Sequence, residues 1–201
     1  MAAKLTFFPG SPFARIARVL VEEWSLPVEP EQWVFPPDET SYAANPLGQV
    51  PALILDNGDA LFPTLVILEH MWEMAGKPAE VYQPNEHRQT LLTVLSAGDA
   101  LVTAKYIGWT GLEPVGENTV NFDLQGRNFE RFGKTLDWLD AKFEDGSLGG
   151  GTTLIGVAVA ALVLWADARG GPEWRGRSAL EAVVDDLAMR ASFKATTPPP
   201  W

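Results

Sequence analysis

The sequence predicts two parts of different class: an α/β domain over residues 1–78 and an all-helical domain over residues 89–201, joined by a linker at 79–88. Three observations carry this reading. Short apolar runs cut off by proline or glycine alternate with helical patterns only in the first eighty residues. A polar, proline-punctuated stretch runs from Gly76-Lys77-Pro78 to Pro84-Asn85. Everything beyond it reads helical.

Lys4 to Phe8 is an apolar run stopped by Pro9-Gly10, a buried strand. Ser11-Pro12 then pairs a preferred N-cap with a preferred first helical residue. Phe13, Ile16, Ala17 and Leu20 continue at helical spacing until Leu26-Pro27 ends the helix. Glu31 to Phe35 is strand-like and stops at Pro36-Pro37. Pro37 to Ala44 is polar and reads as a short helix or a loop. Pro51 to Leu55, the Asn57-Gly58 turn and Ala60 to Phe62 form a hairpin signature, because Asn-Gly supplies the positive φ values of a tight turn. Leu65 to about Met74 is helical. The order β-α-β-(α)-β-β-α is that of a thioredoxin-like unit.

In the second part, His87 to about Ile107 and Val120 to about Phe143 read as long helices separated by a break over Gly108–Asn118. Gly146–Gly151 is a glycine-rich loop without the Lys-Ser/Thr ending of a phosphate loop. Leu154–Ala168 is apolar all round, hence central. Ser178–Met189 is amphipathic, and Thr196–Trp201 is a proline-rich tail.

The formal net charge is -11, which argues against nucleic acid and anionic membrane, since both need a cationic footprint. There is no cysteine, so disulfides, thiolate metal sites and a cysteine nucleophile are excluded, as is dithiol chemistry of the chain's own. The two histidines, His70 and His87, have no spacing of a metal pair or triad: a helix surface and a helix start are expected. The longest apolar run, Leu154 to Ala166, is too short to span a bilayer. The N-terminus turns at Pro9-Gly10 before a leader-like region develops, so a cytoplasmic protein is expected.

The run Asn45 to Leu55 is the most informative. It enters a buried strand through Val50-Pro51, and proline at a strand start serves geometry rather than pairing. X-Pro bonds alone adopt cis at low cost. On these residues both isomers stay open: trans at a strand edge, or cis with the Val50 backbone turned outward to pair with a peptide-like ligand.

Taken together, Ser11-Pro12-Phe13-Ala14-Arg15, Asn45 to Leu55, Leu61-Phe62-Pro63-Thr64-Leu65-Val66-Ile67-Leu68-Glu69, Thr152-Thr153-Leu154 and Arg190-Ala191-Ser192-Phe193 resemble the glutathione S-transferase family, in order and over nearly the whole chain. The likeness is to the serine-type, bacterial-like cytosolic members. It implies a thioredoxin-like domain that binds glutathione, an all-helical domain that supplies an electrophile pocket, and a homodimer. It implies conjugation of the glutathione thiolate to small hydrophobic electrophiles in detoxification, without a metal. Isomerase, dehalogenase, etherase or peroxidase chemistry, or a non-catalytic binding or structural role, stays open on the same fold.

The resemblance also assigns residues. Ser11 would donate to the glutathione sulfur, because a thiol is nucleophilic only as thiolate and a donor at a helix N-terminus stabilises the anion; its competing reading is a plain N-cap. Thr6 and Tyr42 are weaker candidates for that hydroxyl. Val50, before a cis Pro51, would pair with the cysteinyl unit. Thr64 would hold the γ-glutamyl carboxylate at a helix start. Pro63 stands where the family has an acid for the γ-glutamyl ammonium. Gln49 and Trp33 would face the glycyl end, and Asp99 would reach the partner subunit's ligand. Arg15 reads as a surface charge, and Trp109 as a pocket wall or, as is commoner for an aromatic on a long helix, as core or interface. Gly156 stands where the family closes a capping box with Asp.

Overall fold

A computed structural model describes residues 2–111, 122–150 and 152–200. The first part holds β1 (Ala3–Phe7), α1 (Pro12–Glu23), β2 (Val28–Gln32), α2 (Glu39–Ala44), β3 (Leu53–Ile54), β4 (Ala60–Leu61) and α3 (Thr64–Met74). The second holds α4 (Pro84–Trp109), α5 (Leu124–Glu144), α6 (Leu154–Asp167), α7 (Ser178–Ala188) and α8 (Ala191–Ala195). The sheet order is β2-β1-β3-β4, with β1 and β2 parallel and the other pairs antiparallel. This is the expected thioredoxin-like unit followed by helices.

Two strands differ from expectation. β2 lies at Val28–Gln32 rather than Glu31–Phe35. It accommodates Pro30 because β2 is an edge strand, where a missing N–H costs little. β3 begins only at Leu53, because the Ala52 N–H donates to the Thr6 hydroxyl at 2.8 Å instead of to a ladder carbonyl. α4 starts at Pro84, inside the stretch read as a linker, with proline at its tolerated first position. α5 starts at Leu124, capped by Asp123, whose Oδ1 accepts from the Gly126 N–H at 2.7 Å. The expected start at Val120 and most of the Gly108–Asn118 break lie outside the described residues.

The core is continuous across both parts. α1 packs on α6, and α6 is buried along nearly its whole length among α1, α4 and α7. Small residues permit this: at Gly98 of α4 a Cβ would meet Leu162 of α6 at 2.7 Å. α4 is long and apolar enough by length and composition to cross a membrane, yet it packs against α5 and α6.

The start of α6 is half of a capping box. The Thr153 hydroxyl accepts from the Gly156 N–H at 3.1 Å, and the Leu154 N–H donates to the Val81 carbonyl at 3.0 Å. Gly156→Asp supplies the reciprocal acceptor and removes a helical glycine. It should raise stability by about 0.5–2 kcal/mol. Denaturant melts of both proteins check this, and an unchanged or lowered midpoint refutes it.

The C-terminal helix is clamped to α1. The carboxylate of Glu23 accepts from Arg190 Nη2 at 2.5 Å, and the Ser192 hydroxyl donates to it at 2.5 Å. The Arg190 hydrogen bond, helped by Ser192, holds the Glu23 carboxyl below its ordinary 4.5 against the opposing effect of burial. A depressed folded pKa means this clamp contributes fully above about pH 4.5 and is lost as pH falls through the folded value. The stability gap between wild type and Glu23→Gln should therefore be open at neutral pH and close in acid. A pH series of thermal midpoints measures it; a gap independent of pH contradicts the ionic clamp.

Candidate functional site

The sheet's topology gathers the predicted residues at one end. β1 ends at Phe7, level with Gln32 of parallel β2, so the Ser11 loop and Trp33 leave the sheet on the same side. β3 runs opposite to β1 with Leu5 facing Leu53, which puts Val50-Pro51 beside the end of β1. β4 reverses again with Leu61 facing Leu53, so Pro63-Thr64 arrive there too.

Ser11 is the N-cap of α1. Its hydroxyl oxygen accepts from the Ala14 N–H at 3.2 Å. Capping uses a lone pair and not the proton, so the two readings of Ser11 are compatible: the same hydroxyl caps α1 and keeps a donor for an anion. The loop before it is pinned from the second part, where Trp165 of α6 donates its indole N–H to the Gly10 carbonyl at 2.8 Å.

The Val50-Pro51 bond is cis, as are Phe35-Pro36 and Phe62-Pro63. Among the described residues the Val50 N–H and C=O have no hydrogen-bond partner. The approach to Val50 is built by Asn45, buried to 2% exposure. Its side chain donates to the Gln49 carbonyl at 2.8 Å and accepts from the Leu47 N–H at 3.0 Å. Gly48 turns this loop at φ +59°, and a Cβ there would fall 2.5 Å from the Tyr42 ring. Tyr42 is thus the exposed cover of the turn.

Thr6 ties β1 to the bend after Pro51. It is fully buried, its hydroxyl donating to the Ala52 carbonyl at 3.1 Å and accepting from the Ala52 N–H at 2.8 Å. Val50, Ala52, Phe7, Ala14 and Trp33 pack together as a separate small core. Trp33 is largely buried in this cluster, its indole N–H 3.4 Å from Glu31 Oε1, while the Gln49 side chain is exposed.

Pro63 is the N-cap of α3 and offers no side-chain hydrogen bond; Thr64 is the first helical residue rather than the cap. The N–H groups at this helix start receive no side-chain cap, and helix starts of this kind favour anions. Asp99 lies exposed on α4, where the surrounding protein raises its carboxyl pKa. Its expected role toward a partner subunit concerns a surface that a single chain does not form. Among the described residues no three His, Asp or Glu side chains cluster as metal ligands.

Arg15 departs from the sequence reading. It is 4% exposed, not a surface charge. Nη2 donates to the Phe193 carbonyl at 3.0 Å, Nε to the Thr196 hydroxyl at 3.4 Å, and the guanidinium carbon lies 5.2 Å from the centre of the Phe193 ring. Burial, then the charges of Arg18 and Arg169, lower its pKa to about 10.

The far side of the Ser11 loop is aromatic. Trp165 meets Trp109 edge-on at 6.1 Å between ring centres, and Trp109 meets Tyr106 at 5.3 Å. Trp109 and Tyr106 remain 43% and 47% exposed. Phe8 meets the exposed Phe35 at 5.6 Å on the other side. Sequence reasoning missed Asn45 and Trp165 as holders of the two loops. A polar residue amid an apolar strand was a signal for Thr6; Trp165, in a helix apolar all round, carried none.

Residues 5–79 match the family model described as glutathione S-transferase, N-terminal domain. A curated relative, the uncharacterized GST-like protein YibF of Escherichia coli (strain K12), is 27% identical over 194 residues, spanning 94% of this chain and 95% of that protein. Among solved structures, a glutathione S-transferase from Methylobacillus flagellatus KT with glutathione bound superposes with TM-score 0.82 at 23% identity, over 98% of this chain and 100% of that one. A glutathione transferase family member from Pseudomonas fluorescens Pf-5 with bound S-(propanoic acid)-glutathione gives TM-score 0.75 at 25% identity, again over 98% and 100%.

Proposed function

Because residues 5–79 match the glutathione S-transferase N-terminal domain and the whole chain takes the fold of a solved glutathione S-transferase, we propose that this chain is a member of that family that conjugates the glutathione thiolate to small electrophiles, with Ser11 stabilising the thiolate. The observation that carries the reading is the convergence of Ser11, the unpaired Val50 backbone and the start of α3 at one end of the sheet. Glutathione is an extended tripeptide with an acidic end. Val50 pairs with its cysteinyl unit as an added strand, Thr64 and the first turn of α3 take the γ-glutamyl carboxylate, and Ser11 donates to the sulfur. Gln49 and Trp33 border the glycyl end. A homodimer, in which Asp99 approaches the partner subunit's ligand, and a cytoplasmic, detoxifying role complete the proposal; sedimentation tests the dimer.

Pro63 favours a second reading, a protein of this fold with little or no catalysis, since it offers no charge to the γ-glutamyl ammonium. The two readings part on calorimetric titration with glutathione. Saturable binding supports the first, and none at millimolar concentration supports the second. Pro63→Glu should tighten binding by roughly tenfold to a hundredfold, the worth of one charge-assisted contact. Unchanged affinity in that variant would show that the γ-glutamyl end lies elsewhere.

A further inference from the structure

The electrophile side of the site carries a charge pattern that thiolate stabilisation does not use, and its meaning rests on the transferase function. Lys105 Nζ lies 6.0 Å from the centre of the Trp109 ring, and the Arg169 guanidinium carbon 4.8 Å from that of Trp165. Lys105 donates to the carbonyls of Arg169 at 2.5 Å and Gly170 at 3.3 Å. Arg15 donates to a carbonyl and a hydroxyl, and its Nη1 is buried without an acceptor among the described residues. These acceptors are neutral, so they leave the positive charges of Lys105 and Arg15 in place. The charges that bear on Arg15 are those of Arg18 and Arg169, both of its own sign. In a chain of net charge -11, Lys105 and Arg169 thus flank a half-exposed aromatic ladder that begins at the Ser11 loop, with buried Arg15 within electrostatic reach of Arg169. Low-dielectric walls focus such a field rather than screen it.

We infer that the electrophile is a flat aromatic or conjugated molecule bearing a carboxylate or sulfonate. Its plane stacks on one of the exposed rings, Tyr106 and Trp109, which stand nearly perpendicular, and meets the other edge-on, while its anion turns toward Lys105 and Arg169. With an aryl halide of this kind, the thiolate sulfur forms a C–S bond at the halogen-bearing carbon. The C–halogen bond breaks, the halide leaves with the bonding pair, and the thiol proton has already passed to solvent.

The test uses the full chain at saturating glutathione and a matched pair, chlorodinitrobenzoate and the corresponding amide. Each rate is divided by its uncatalysed rate. The carboxylate should show about tenfold or more higher normalised kcat/KM. That ratio should shrink with salt and fall toward one in Lys105→Gln and Arg169→Gln. Equal values for the pair in wild type overturn the inference and leave the transferase reading intact. Quenching of tryptophan fluorescence by dinitrobenzoate and dinitrobenzamide reads the same preference without turnover. Tighter benzoate binding with no reaction of either electrophile supports the anion surface and refutes the transferase reading. No preference for benzoate refutes the anion surface.

Discussion

Ser11→Ala should lower the glutathione-dependent rate with a generic aromatic electrophile by about a hundredfold, the usual cost of removing one preorganised donor from a developing or resident anion. It should also raise the pKa of the bound thiol. The same change removes the acceptor for the Ala14 N–H and costs about 0.5–2 kcal/mol of stability. Two companions separate the roles. Ser11→Asp keeps the cap but has no donor and sets a negative charge against the sulfur, so it should stay folded and lose activity. Ser11→Thr keeps both oxygen and proton and should keep most of the rate. Wild-type rate and thiol pKa in Ser11→Ala would reduce Ser11 to a cap.

Thr6→Val should cost about 1–3 kcal/mol and weaken glutathione binding as well. The change keeps the volume but strands the Ala52 N–H in a fully buried place, because its acceptor is the Thr6 hydroxyl. Ala52 follows Pro51, so loosening it frees the backbone that Val50 presents. Thr6→Ser retains the hydroxyl and should restore binding. Denaturant melts and calorimetric titration of both variants check this. A Thr6→Val protein with a lowered midpoint but unchanged affinity for glutathione would show that the anchor serves folding alone.

Elements were legible in the sequence where local chemistry decides them. Ser11-Pro12 opened a helix, Asn57-Gly58 turned a hairpin, and the stretch Leu154–Ala168, read as apolar all round, became the central helix Leu154–Asp167. β2 was misplaced because its pairing partner β1, and not its own pattern, sets where the strand lies: Val28–Gln32 align with Ala3–Phe7. Ser11, Val50 and Thr64 were nameable because each sits at a cap or a proline-marked bend. Thr6 and Trp165 hold those residues through contacts 46 and 155 positions away, beyond the short-range chemistry that can be read along a chain, whereas Asn45 acts within four positions of itself and its loop-closing amide was simply not read. Arg15 shows the same limit: helical periodicity set it on a polar face, but α8 folds back over that face and buries it.

The most direct measurement is the titration of glutathione's thiol while bound to the wild-type protein, followed by thiolate ultraviolet absorbance. A Ser11 hydroxyl and a helix N-terminus beside the sulfur predict saturable binding and a bound-thiol pKa well below the free value of about 8.5. A bound-thiol pKa at or above the free value, or no saturable binding, would refute thiolate stabilisation at this helix start.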